Sequence, residues 1–491
     1  MAKAIWPWLL QERPLDFGKA KPDASGRVLD NIVVIQPQTS DTQDLPLQYM
    51  LRPHHALLVL IAGLSTACVD YTPAPVSVEQ MDRDYASRAL PPKKQAWTVQ
   101  ELIVLGRKYQ ASRAQAWAKY EAAQAAVVTA GGKPNPALSL VPGVNTSANG
   151  SPSGIPAVSL DLFFETAGKK DLRLLKAQQQ LVSAGFALQD EGWQLDNAVR
   201  HASWNLHYAQ EREALLTQEV AALGKALGQA KLQLDVGLIA STEVQTQELA
   251  LRKAKLDLAD AVSAKLDGRA QLAEAIGVPA QALAKAKLDL AFALPSRQAA
   301  HLRVERVRRN ALTRRPDVAM SLADYAAEEA NLALEVARQY PDIKVSPGYQ
   351  WDQGSNKWQL GLAADLPIFN QNQGPIGEAT AQRKQAKARV EVAQAKVAAE
   401  VDRVVPALQQ AWNAHQAALE LTKTQGESKA AADRRLQVGQ GEPTEALLAE
   451  VDLIAARIAL IDRAYKLTQQ VEALDALTRP SLAPGHDSLS R

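Results

Sequence analysis

The one thiol in this 491-residue chain is Cys68. It stands directly behind Leu64-Ser65-Thr66-Ala67, and small residues ahead of a cysteine are what a secretory cleavage site presents. A cysteine uncovered there can be acylated, so Cys68 is a candidate lipid anchor. The segment resembles a lipobox with Ser65 where leucine is usual, and ordinary cleavage after Ala67 is the alternative. Other chemistries lack their residues. No GxxxxGK[ST] phosphate loop, GxGxxG turn, HExxH pair or GxSxG elbow occurs. The histidines do not cluster with carboxylates, and His201 and His207 lie on poorly matched helix faces for a shared metal. Arg303, Arg306, Arg308, Arg309, Arg314 and Arg315 form a basic cluster in a chain of formal net charge only +2. In an exported protein such a cluster solvates a helix end or pairs with carboxylates. The expectation is no catalytic residue, no cofactor, no metal site and no nucleic-acid partner.

The elements that position these residues begin with the export signal. The apolar run Ala56 to Leu64 is about half the roughly 20 residues a spanning helix needs. With Met50-Leu51-Arg52-Pro53-His54-His55 before it, residues 50–67 read as a signal peptide. Residues 1–49 have no periodicity and read as an over-extended start without a fold. Residues 68–96, rich in proline and charge, read as an extended strap. Beyond them the composition, 47% apolar but only 5% aromatic with abundant alanine, suits long, closely packed helices.

The chain repeats itself. Pro136-Ala137-Leu138-Ser139-Leu140-Val141-Pro142-Gly143 aligns with Pro341-Asp342-Ile343-Lys344-Val345-Ser346-Pro347-Gly348, a shift of 205 residues (341 − 136). Leu234-Asp235-Val236-Gly237 aligns with Leu436-Gln437-Val438-Gly439, a shift of 202 (438 − 236). Each half predicts a helix of about 35 residues, two strands, a helix of about 65, a tight turn and another helix of about 35. The spans are 97–130, 136–164, 168–235 and 241–276, then 303–340, 343–366, 374–436 and 443–477. The first repeat is thus 97–278, the linker 279–302, the second repeat 303–478 and the disordered tail 479–491. At 1.5 Å per residue the long helices reach roughly 100 Å, which two shorter ones match end to end. Leu453, Leu460, Leu467 and Leu474 recur every seven residues as a coiled-coil seam, which Lys265 interrupts in the first repeat's Leu251, Leu258, Leu272 series. Pro406 predicts a bend where the shorter helices meet.

The strands separate a membrane protein from a soluble bundle. Ile343, Val345, Tyr349 and Trp351, then Trp358, Leu360, Leu362, Ala364 and Leu366, alternate with small or polar residues, as do Val158, Leu160, Leu162 and Phe164. Strands of about nine residues cross a bilayer when tilted, and Tyr349, Trp351 and Trp358 are placed for an aromatic girdle. Four strands do not close a barrel and lipid does not tolerate an open edge, so three subunits must share one of 3 × 4 = 12 strands. The expected fold is mainly α with a membrane β-barrel. Tandem repeats of long helices form an α-barrel, and four strands per subunit close as a trimeric 12-stranded barrel.

With both halves laid out, the chain resembles the TolC-like outer-membrane efflux family over about residues 97 to 478. The resemblance is carried by Leu366-Pro367-Ile368-Phe369-Asn370-Gln371-Asn372-Gln373-Gly374, by Arg315-Pro316-Asp317 and by the two Val-Gly turns. Glu165-Thr166-Ala167-Gly168-Lys169-Lys170 with Arg173 is similar to the cation-exporting branch. It implies a homotrimer in outer-membrane lipid, its helices in the periplasm, docked to a periplasmic adaptor protein and an inner-membrane transporter. It also assigns Val236, Gly237 and Leu238, with Val438 and Gly439, to adaptor-contacting tips. Gln440-Gly441 makes the second tip more polar, and Asp235, Asp433 and Glu442 are gate candidates near the tips. A type I protein-secretion duct would share this architecture, and a soluble coiled-coil scaffold is the distant alternative.

Overall fold

The structure, a computed structural model, describes residues 71–92, 95–146, 153–284, 286–291, 304–352 and 354–478. Residues 1–49, the signal segment 50–67, Cys68, Arg303, the end of the expected linker and the tail 479–491 lie outside the described residues. Of the amino-terminal unit only 71–76 are described, and they form no helix or strand; the second unit starts at Ser77.

In chain order that unit contains α1 (Val78–Ser87), β1 (Trp97–Thr98), α2 (Val99–Tyr109), α3 (Ala111–Gly131), β2 (Ala137–Asn145) and β3 (Ser153–Phe164). Next come α4 (Lys169–Asp235), α5 (Ser241–Ile276), α6 (Ala280–Ala284) and β4 (Leu288–Asp289). The second repeat supplies α7 (Val304–Arg314), α8 (Pro316–Ala337), β5 (Ile343–Asp352), β6 (Ser355–Ala364), α9 (Gln373–Gln437) and α10 (Pro443–Thr478). The tandem order of long and short helices is as expected, with two corrections.

First, each helix expected to lead its repeat is broken in two. Gln110 (φ −72°, ψ 121°) separates α2 from α3, and Arg315 (φ −76°, ψ 132°) separates α7 from α8, 205 residues later (315 − 110). At Arg315 the cause is covalent, because Pro316 disfavours helical backbone in the residue before it while suiting the first helical position after it. At Gln110 the cause is tertiary. Its side-chain Nε2 donates to the carbonyls of Glu274 and Ala275 at the end of α5. Second, the strap 68–96 is not extended throughout. Its prolines leave a gap between Pro75 and Pro91, and in it Ser77 caps α1 by accepting from the Gln80 amide at 3.2 Å. Arg88 then ties the strap to the carbonyls of Tyr109 and Gly277.

Two equivalent cores sit at these breaks. In the first repeat Leu102, Ile103, Val199, Leu206, Leu272 and Ile276 are buried together. In the second, Val307, Ala311, Val401, Val404, Leu408 and Leu474 do the same work. Pro406 is exposed on α9 beside this second core, at the expected level, and the helix continues through it.

β2, β3, β5 and β6 form one antiparallel sheet in that order. Its register sorts side chains by face. Leu140 lies opposite Val158, Val158 opposite Tyr349 and Tyr349 opposite Trp358. Leu162, Val345 and Leu362 form a second apolar row, and Phe164, Ile343 and Ala364 a third. The opposite face carries Ser159, Gly348 and Gln359 in one row, and Asp161 there accepts from Ser346 at 2.6 Å and pairs with Lys344 at 3.1 Å. The outer strands β2 and β6 each have one unpaired edge among the described residues.

Candidate functional site

The two tips are turns between antiparallel helices, and both are built by the same backbone device. After α4 the Leu238 amide donates to the Gln233 carbonyl at 2.8 Å and the Gly237 amide to Leu234 at 2.9 Å. After α9 the Gln440 amide donates to Arg435 at 2.9 Å and Gly439 to Leu436 at 3.1 Å. These are paired Schellman bonds, which require a left-handed residue; Gly237 has φ 76° and Gly439 φ 72°. The left-handed glycine expected from the Val-Gly pairs is present at both.

The surfaces differ. At the first tip Val236 and Leu238 are 71% and 74% exposed. At the second Val438 is 68% exposed, but Gln440 occupies the place of Leu238 and the flanks are charged. Arg435 pairs with Glu445, and Lys429 with Asp433 at 2.6 Å. Gly441 has no room for a side chain, since a Cβ would lie 2.9 Å from the Leu436 amide nitrogen. Gln233 reaches across to Glu442 at 3.3 Å and links the two tips. Of the gate candidates, Asp433 and Glu442 therefore have partners in this conformation.

At the other end of the long helices, Tyr349 and Trp358 pack with ring centroids 5.0 Å apart, and Tyr349 donates to Asn356 at 2.7 Å. Trp351, opposite Asn356, is two residues nearer the β5–β6 turn on the same face. The expected girdle residues are thus gathered beside one turn. By helix length the girdle and tips are separated by roughly 100 Å.

The site that sequence reasoning missed is the junction between sheet and helices. The Lys169 side chain is buried and donates to the Tyr340 carbonyl at 2.6 Å and to Asp342 at 2.7 Å. The Thr166 amide shares Asp342 at 2.9 Å, so the exit of β3 is pinned to the start of β5. Arg173 clamps Glu165 at 2.5 Å and the carbonyls of Ala130 and Gly132. The Glu165–Lys170 segment, read only as a family signature, is a buttress between the repeats. Its signal lay in Ala167-Gly168, both at positive φ (54° and 68°). The equivalent turn before α9 uses Asn372 at φ 63°, which donates to Glu335.

The basic cluster is partly an ion-pair network. Arg315 bridges Asp317 (2.6 Å) and Glu400 (2.5 Å), and Arg308 pairs with Asp402 (2.5 Å). Among the described residues no three His, Cys, Asp or Glu side chains group as metal ligands, and no helix is long and apolar enough to cross a membrane.

An apolar-faced sheet with two unpaired edges among the described residues, joined by buttressed turns to long helices that end in glycine tips, is the architecture of this chain. The chain belongs to the outer membrane efflux protein family, whose sequence profile matches residues 110–278 and 307–478, one stretch in each repeat. It is 28% identical over 257 residues to the cobalt-zinc-cadmium resistance protein CzcC of Cupriavidus metallidurans, covering 52% of this chain and 59% of that protein. Its fold is shared with the Campylobacter jejuni CmeC outer membrane channel (TM-score 0.65, 14% identity, 86% of this chain and 95% of that one). The outer membrane protein VceC of Vibrio cholerae matches similarly (TM-score 0.64, 17% identity, 78% and 96%).

Proposed function

We propose that this chain is the outer-membrane exit duct of a tripartite efflux system, working as a homotrimer without catalysis of its own. The observation that carries the reading is the sheet. Four strands with one apolar face and two free edges are unstable in lipid, and three copies closing edge to edge remove every edge. Exposed Leu249, Leu256 and Leu266 on α5, and Val392, Leu419 and Leu421 on α9, offer apolar surface for neighbouring subunits to bury. In this reading the helices stand in the periplasm, Cys68 carries the lipid anchor, and Val236, Gly237, Leu238, Val438 and Gly439 meet the periplasmic adaptor that leads to an inner-membrane transporter. The likeness to CzcC supports divalent heavy-metal cations as cargo.

Gly237→Val and Gly439→Val test the reading together. Each forces a β-branched residue to positive φ at a cost on the order of 1–2 kcal/mol, far from the sheet and from the waist, the level of the helix breaks at Gln110 and Arg315. Outer-membrane trimers should persist while adaptor crosslinking and resistance to cobalt, zinc and cadmium salts fall, more for Gly237 because its tip is the less polar. Full resistance in the double variant rejects the coupling role of the tips. Missing trimers would assign the glycines to folding instead.

A further inference from the structure

The long helix α4 packs against α5 within its own repeat and against α10 of the other repeat. Toward α5, Leu227 and Ala230 are buried with Val244 near the tip, and further along Glu213 pairs with Lys265 at 2.5 Å. Toward α10 the contact is polar over roughly 18 Å of α4, from Arg200 to Arg212. Tyr208 donates to Asp462 at 2.7 Å, Arg212 reaches the same carboxylate at 3.1 Å, and the Tyr208 and Tyr465 rings stack at 4.5 Å. Tyr465 in turn donates to Asn205.

The ladder ends, toward the waist, in an imbalance. Glu472 of α10 has its Oε1 buried with no hydrogen-bond partner among the described residues. Arg200 of α4 is the cation that acts on it, and the same cation acts on Asp475, one turn further along α10. Arg200 also donates to Asn197 at 3.2 Å. Other charged or titratable groups on the elements packed here include Arg269 of α5, half-buried with its Nε unpartnered among the described residues. On α4 are His207 and the exposed His201, the latter in contact with Asn205, and on α10 the exposed Arg463 and Lys466. Asp196 of α4 holds Arg107, Arg308 of α7 holds Asp402 of α9, and Arg315 holds Asp317 and Glu400. Glu305, Arg306, Arg309, Arg314 and Arg403 are exposed. One guanidinium thus acts on two carboxylates, the exposed Asp475 and the half-buried Glu472, and the orphaned buried oxygen of Glu472 is where a proton removes most strain.

We propose that the α4–α10 seam is a proton-operated catch: with Glu472 protonated the two repeats are held together at the waist, and with Glu472 ionised that joint loosens. Burial is the main cause that raises the Glu472 carboxyl, to about 7, opposed by Arg200 and assisted by Asp475. The sign follows from linkage. A carboxyl raised above its unfolded value favours the closed seam below that value, and this contribution is lost as pH rises through about 7. The catch is internal to one chain, so it stands or falls independently of the cargo and partners proposed above.

Hydrogen exchange on the purified full-length protein tests it, comparing Glu472→Gln with the parent at the same pH so that intrinsic rates cancel. At about pH 8.5 amides of 199–212 and 465–478 in the variant should exchange at least about ten-fold more slowly than in the parent, and at about pH 4.5 the two rates should converge. An unchanged ratio between the two pH values, or faster exchange in the variant at both, overturns the proposal. Arg200→Gln gives an independent reading. Removing the cation should move the parent's transition to higher pH, and a transition that stays in place or moves down rejects the catch.

Discussion

Leu467 of α10 is fully buried in the second repeat, while its counterpart 202 residues earlier (467 − 265), Lys265 of α5, ends in an ion pair with Glu213 of α4. The helices around them pack differently as a result. Alongside Leu467, Ile454 and Leu474 are also buried, and the core facing this end of the seam holds the branched Val397, Val401, Val404 and Val405. On either side of Lys265 the nearest buried positions of α5 are Ala261 and Gly268, with Leu272 and Ile276 fully buried further on, and a Cβ on Gly268 would lie 3.2 Å from the Leu206 Cα. At this level one hairpin is held by a fully buried leucine and the other by close backbones and a partly buried charge pair, while both end in large buried side chains, Leu474 in one and Leu272 with Ile276 in the other. The same antiparallel geometry is reached by two routes, and the routes differ in what they tolerate.

The largest effect should fall on the dry seam. Leu467→Ala removes a fully buried leucine from a core of valines that close only partly around the cavity, and should cost about 2–5 kcal/mol. Lys265→Ala, which removes one member of a partly buried pair whose side chains are 29% and 24% exposed, should cost about 1–2 kcal/mol. Thermal unfolding followed by helix content measures both. Equal losses would break the comparison, because they would make the Lys265 position as much a core site as Leu467.

A middle-sized effect is expected at the waist, where each repeat ties its broken helix to its long one through an arginine. Arg315 has a side chain only 12% exposed and bridges two carboxylates, whereas Arg107 is 46% exposed and pairs with Asp196. Burial pushes the Asp317 carboxyl up, but hydrogen bonds and charge from Arg315 outweigh it and hold it below the ordinary value. Its contribution to stability is present above the unfolded value and is lost as pH falls through the depressed one. Arg315→Met should therefore cost about 2 kcal/mol near neutrality, less than a fully buried pair because its partners are partly solvated, and should flatten that acid-side decline. Arg107→Met should cost about 1 kcal/mol or less. A flat acid limb in the parent would show that Arg315 does not govern Asp317.

The repeat, the strand pairs and the glycine tips were legible because each depends on local pattern: proline before a strand, alternation within it, glycine where φ must be positive. The helix breaks were not equally legible. Arg315-Pro316 carried a local signal that was read only as part of a family motif, whereas Gln110 is held out of the helix by carbonyls of α5 more than 160 residues away. Helix α1 was hidden among prolines although Ser77 announces its cap. The junction at Lys169 and the Glu472 seam join residues 173 and 272 positions apart (342 − 169 and 472 − 200), and no window along the chain brings them together. The paired arginines were foreseen as a class, but which carboxylate each would find was not.

The smallest effect should come from making the first hairpin resemble the second. Lys265→Leu extends the Leu251, Leu258, Leu272 series and adds apolar burial, but it leaves Glu213, whose side chain is only 24% exposed, without its cation. These opposed changes should nearly cancel, leaving a loss of about 1 kcal/mol or less. Adding Glu213→Met removes the stranded charge and keeps the volume, so the double variant should recover to within about 0.5 kcal/mol of the parent or exceed it. Recovery would identify the charge pair as a replaceable feature of a seam that accepts either chemistry. A double variant that stays more than about 1 kcal/mol below the parent would place the limit in the backbone. In that case Gly268 holds α5 too close to Leu206 for a leucine at position 265, and the lysine is there because its long stem is the side chain that can leave so narrow a gap.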